Sequence, residues 1–186
     1  GSKCLEYYFH HLHKPNPNYG FTPDGDFPLI YGEKGISNYE SVVNVNLKPL
    51  LEFNAGVVIN SVPDVATARL IKDETFENTL KELKVNYEIK YLDNEMEVMA
   101  KGKASHGSLP QNGVNAGLVL LNAIAKHYNN EFLKLITKAY QDPFGKNLDL
   151  YFESELLHSS TYNVGLISYK DNVFNMSVNF RYPENV

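Results

Sequence analysis

One histidine, His106, stands in a run made almost wholly of small and turn-forming residues, from Gly102 through Gly113. Glycine and small neighbours let another backbone or a ligand come close. An apolar helix pattern follows, starting near the turn signals Pro110 and Asn112-Gly113 and running to Ala125. On this reading His106 lies on a loop entering a helix N-terminus, where unpaired N–H groups and the dipole favour anions. The setting presents an imidazole outward rather than burying it. The plainer reading is an ordinary surface or capping histidine. Two further stretches hold candidate ligands. Asp24 and Asp26, in a Pro/Gly frame from Gly20 to Pro28, suit oxygen ligation of a divalent metal. Their spacing alone favours the plainer reading, an Asx turn in which the aspartate caps its own backbone. His10 and His13 are three apart on the first helix pattern, yet read as solvated residues at a helix C-terminus.

These residues need elements to hold them. The chain has 186 residues, 43% hydrophobic, with thirteen tyrosines and ten phenylalanines to anchor a core. A net charge of −5 without a basic stripe argues against a nucleic-acid partner. No apolar run approaches membrane-spanning length and no signal-peptide pattern opens the sequence. With Cys4 as the one cysteine, we expect no disulfide framework and a reducing, cytoplasmic setting. Gly1-Ser2 reads as a leftover of tag removal.

Periodicity predicts a helix over 3–13, broken by Pro15 to Asn18. Strands follow at 53–59 and 66–71, then a helix at 75–83 and a hairpin of 85–91 with 95–103. After the helix beyond His106 comes another at 131–140, and two last strands at 162–169 and 173–182. In the final strand Phe174, Met176, Val178 and Phe180 alternate with Asn175, Ser177, Asn179 and Arg181. This order is that of an α+β, ferredoxin-like antiparallel sheet with helices on one face, preceded by a short helix and loop.

Several stretches converge on one resemblance. The run Ala104 to Ala116 resembles the lid-domain motif of two-metal peptidases of the aminoacylase and carboxypeptidase G type, closest to the bacterial PepV-type dipeptidases. Gly20 to Pro28 with Gly32-Glu33-Lys34-Gly35 is similar to that branch's segment carrying a metal-ligand aspartate. Asn60-Ser61-Val62-Pro63 is similar to its Asn-x-Val-Pro motif, and Thr161 to Gly165 and Phe180 to Pro183 also match. The family's upstream His-x-Asp motif, bridging aspartate and Asp-Glu-Glu pair, and its last metal-binding histidine, have no counterpart in these residues.

The resemblance implies a remnant of a metal-binding catalytic domain at 1–36 and a lid domain at 37–186. It implies hydrolysis of a dipeptide by water activated on two divalent ions, zinc or manganese, in a longer parent, with none bound by this fragment, itself inactive. His106 would donate to the developing oxyanion, Arg181 would grip the substrate carboxylate and Asn60 would bind the same region. Asp24 matches the metal-ligand position. The competing expectation is a non-catalytic ferredoxin-like module for regulation or oligomerisation, self-associating through an exposed sheet edge.

Overall fold

Buried and exposed side chains alternate along most strands, so the sheet they form has one covered face. The computed structural model describes residues 3–20, 30 and 32–186, and two compact units divide the chain, 1–32 and 33–186. In the first unit a short helix, α1 (Lys3–Glu6), runs on as a π-helical turn, Tyr7–His11. It stops where His13 adopts φ +47°, a left-handed backbone that L residues rarely hold. The His11 ring stacks on Tyr7, 5.2 Å between centroids.

The second unit carries strands β1 (Gly35–Asn44), β2 (Leu50–Ala55), β3 (Val65–Ile71), β4 (Asn86–Tyr91) and β5 (Glu95–Lys101). Later come β6 (Glu153–Ser154), β7 (His158–Ser159), β8 (Thr161–Lys170) and β9 (Val173–Tyr182). Helix α2 (Phe76–Glu82) lies between β3 and β4, while α3 (Ala116–His127) and α4 (Glu131–Ala139) follow β5. Seven strands pair in the order β1-β9-β8-β2-β3-β5-β4, each antiparallel to its neighbours; β6 and β7 pair separately. Strands β3, β4, β5 and β8 with the intervening helices make the ferredoxin-like βαββαβ unit. Strand β2 is inserted between β8 and β3, so the architecture is α+β.

The core lies between the sheet and its helices. Ala66, Ala68 and Leu70 of β3, Met96 and Val98 of β5 and Phe174, Met176 and Val178 of β9 join Phe76, Leu80, Leu120, Leu121, Ile124 and Leu133 in one cluster. On the other face of β3, Arg69 bridges Glu95 at 2.9 Å and Glu52 at 3.2 Å. Helix α3 starts where Asn115 caps it, accepting from the Leu118 N–H at 3.1 Å; Asn130 caps α4 likewise. Among the described residues no helix is long and apolar enough to cross a membrane.

The C-terminal turn of α3 is pinned to the segment before α2. His127 Nε2 lies 3.0 Å from Asp73 Oδ2, and its Nδ1 lies 2.7 Å from the Thr79 hydroxyl. The Thr75 hydroxyl, joined by His127, holds the Asp73 carboxyl down at about 2 against the opposing effect of burial. A carboxyl depressed on folding stabilises the fold above its unfolded value, and that stability is lost as pH falls through the folded one. We therefore expect stability to decline from the ordinary aspartate value down to about pH 2. Asp73→Asn should flatten that part of the curve, read as urea midpoints across the range.

Candidate functional site

Two loops at one end of the sheet, 56–64 after β2 and 102–115 after β5, are stitched together by backbone hydrogen bonds. The Val62 N–H donates to Ser105 O at 2.8 Å and the Gly107 N–H to Asn60 O at 2.7 Å. Between these bonds Ser61 faces His106 as an isolated antiparallel bridge. A second bridge, Lys103 with Val114, closes the loop on itself, with both N–H···O bonds at 2.9 Å.

His106 therefore does not sit at the N-terminus of α3. Pro110–Asn112 form a 3-10 turn, Val114 pairs back, and the helix begins only at Ala116 under the Asn115 cap. The first helical N–H, of Ala116, is taken by Pro63 O at 2.8 Å. The anion-binding helix end expected beside His106 is thus replaced by a bridge between loops.

The imidazole is exposed, whereas Gly107 beside it is buried. Its Nδ1 lies 2.7 Å from the Ser108 hydroxyl and 3.4 Å from the Ser108 backbone N–H. A backbone N–H can only donate, so Nδ1 serves as acceptor. In the neutral ring this puts the proton on Nε2. The free side of the ring is then a donor.

Beneath these loops runs a polar face of three paired strands. In register across β1, β9 and β8 lie Asn38, Asn179 and Asn163, and in the next row Ile36, Arg181 and Thr161. Asn179 Nδ2 donates to Asn38 Oδ1 at 2.7 Å, and Asn179 Oδ1 accepts from Arg181 Nε at 3.0 Å. Asn163 Nδ2 donates to Ile59 O at 2.8 Å and Ser61 O at 3.0 Å, gripping the chain on both sides of Asn60. A β-carbon on Gly107 would stand 3.0 Å from both Asn60 O and Asn179 Oδ1. Gly107 thus fills the gap between the Asn60 turn and the asparagine that holds Arg181.

Asn60, His106 and Arg181 accordingly gather at one end of the sheet. No hydrogen bond joins their side chains among the described residues. Asp24 lies outside the described residues. Among those described, no three His, Cys, Asp or Glu side chains come together to hold a metal, His10 and His13 included.

A second cation, Lys34, flanks Arg181. Lys34 Nζ donates to Ser159 O. Burial lowers the Lys34 ammonium from its ordinary value, and the nearby Arg181 guanidinium lowers it further. Burial also lowers Arg181, opposed by the Glu33 carboxylate. Thr161, Asn163 and Asn179 are buried, at 2%, 1% and 2% exposure. The sequence signal for them was their place in the Thr161–Gly165 motif and in the polar alternation of the last strand.

The molecule is thus an α+β domain offering an outward imidazole donor and a part-buried guanidinium at one sheet end. No protein-family model matches the chain. It is similar to proteins named "Putative dipeptidase" from staphylococci. Identity is 33% over 202 aligned residues with that of Staphylococcus epidermidis and 34% over 202 with that of Staphylococcus haemolyticus. With that of Staphylococcus aureus strain USA300 it is 31% over 208. Each alignment takes in 98% of this chain, and the chain spans 43% of the length of these curated relatives.

The placement of Asn60 depends on two glycines. A β-carbon on Gly56, at φ +84°, would meet Gly165 O at 1.9 Å, and one on Gly165 would meet Ile59 O at 2.1 Å. Gly165→Ala should therefore push the 59–61 turn off β8. We expect a loss of roughly 1–3 kcal/mol in chemical denaturation, with amide shifts moving at 59–61 and 105–107. Unchanged stability and shifts would refute this account of the turn.

Proposed function

We propose that this chain is part of a longer metal-dependent dipeptidase of the PepV type, and that residues 37–186 are its lid domain. The stretch ahead of β1 would belong to the metal-binding catalytic domain, whose setting would be the cytoplasm. The observation that carries this reading is the meeting of Asn60, His106 and Arg181 at one rim, from three separate stretches of chain. The similarity to the staphylococcal proteins, running along 98% of the chain, supports it.

When bound in the parent, two divalent ions, zinc or manganese, would activate water and polarise the scissile carbonyl. Asp24 would be one ligand, the others coming from outside this chain. The described residues do not make such a site by themselves, so their part is to bind and orient. The outward Nε2–H of His106 would donate to the carbonyl oxygen as negative charge develops on it. Its orientation is set beforehand by Ser108, so little reorganisation is needed when the charge forms. The Arg181 guanidinium spends its Nε on Asn179, and its Nη groups would take the dipeptide's carboxylate. The Asn60 amide, on a turn fixed by Asn163, would add a neutral donor to the same ligand.

In the full-length protein His106→Ala should lower kcat roughly 10²–10³-fold, the usual cost of one oxyanion donor. Arg181→Ala should raise KM as well, because a carboxylate is held in ground and transition states alike. Arg181→Lys should restore part of the loss, lacking the two-pronged geometry. Steady-state kinetics on a panel of dipeptides checks this, and near-normal kinetics in both alanine variants would overturn the roles. The 186-residue chain by itself should hydrolyse none of them; turnover that is abolished by substitutions within it would overturn the lid reading.

A further inference from the structure

The Thr161–Gly165 stretch bears none of the three rim groups, yet it touches both loops that carry Asn60 and His106. Side chains alternate along a strand. Tyr162 and Val164 enter the core, which leaves Thr161 and Asn163 on the opposite face of β8. Thr161 Oγ1 lies 3.5 Å from Gly107 O. Gly165 makes room for Ile59 O, which a β-carbon there would meet at 2.1 Å. Between them Asn163, 1% exposed, spends both of its N–H bonds on Ile59 O and Ser61 O. Among the described residues it is the one strand side chain that hydrogen-bonds the 59–61 turn.

The contacts then pass from one loop to the other. Ser61 faces His106, and the residues flanking each are bonded across, the Gly107 N–H to Asn60 O and the Val62 N–H to Ser105 O. The turn that sets the direction of Asn60 is therefore the same piece of backbone on which His106 rests. The loop ends are fixed separately, by the Gly102 N–H on Asp64 O and the Ala116 N–H on Pro63 O. Those bonds leave the tips, with their two donors, to follow Asn163. Arg181 takes another route, through strand register and Asn179.

We propose that Asn163 is a positioning residue that couples Asn60 to His106, so that the two donors act as one unit while Arg181 acts independently of them. This rests on the dipeptidase reading and deepens it, by dividing the rim into a coupled pair and a separate guanidinium.

Residues that act as a unit show non-additive losses, whereas the losses of independent residues multiply. In the full-length protein Asn163→Ala should lower kcat roughly ten- to hundredfold, as displacing a catalytic group by about 1 Å does. KM should rise by a smaller factor, because Arg181 keeps its place. In a His106→Ala background Asn163→Ala should cost only about two- to threefold more. In an Arg181→Ala background it should keep its full effect. Thermal midpoints show that the variants fold. Asn163→Asp, similar in shape but without the two donors, repeats the comparison if the alanine variant does not. An equal fold-loss in the wild-type and His106→Ala backgrounds would make Asn163 a merely structural residue and overturn the inference. So would near-normal kcat in a folded variant. Wild-type protein that cleaves no dipeptide would instead overturn the function on which the inference rests.

Discussion

The Asn163 side chain lies under the 59–61 turn and donates both of its N–H bonds to backbone carbonyls, those of Ile59 and Ser61. Its oxygen has no protein partner among the described residues. Those two bonds satisfy carbonyls of an irregular turn between β2 and β3. Without this grip the turn has no fixed height above β8, and Asn60 has no fixed direction. The 102–115 loop leans on the same turn through Gly107 and Ser105, so His106 depends on Asn163 at one remove.

The three polar groups reach the rim by different physical routes. His106 is fixed by backbone bonds within loops and oriented by Ser108. Arg181 is fixed by strand register and steadied by Asn179. Asn60 is fixed by glycines that let two backbones approach, Gly56 and Gly165. A donor, a cation and a neutral amide are thus placed with few bonds of their own committed, which suits groups that must bind something else.

Much of the fold was legible because burial is one-sided. Strands β3, β5 and β9 alternate cleanly, and the sequence reading of β3, β4, β5, β8 and β9 agrees with the observed strands to within two residues. β1 is faint in the sequence because most of its residues are exposed on both faces. β2 was expected three residues too late because Val57 and Val58 look like strand interior. They are exposed, at 92% and 50%, since the chain turns at Gly56. His106, Asn60 and Arg181 stood out by their motifs, and the structure brings them to one sheet end. Asn163 and Asn179 did not, because a polar residue in strand alternation reads as solvent-facing; nothing local to the strand announces that distant loops will cover it.

The bulge at Gly165, where the β8–β9 register shifts between Val164 and Leu166, has a consequence for how this domain can change over time. Tyr162 and Val164 face the core on one side of the bulge, Ile167 and Tyr169 on the other, so the bulge switches odd positions for even ones. β1 and β9 have no such correction along their ten pairs. A single residue gained or lost there, between the turn and Arg181, would send the arginine and Asn179 to the helix face and bring Phe180 out. A one-residue change there would have to be absorbed by a bulge like that of β8, or moved to the loops beyond the strand ends.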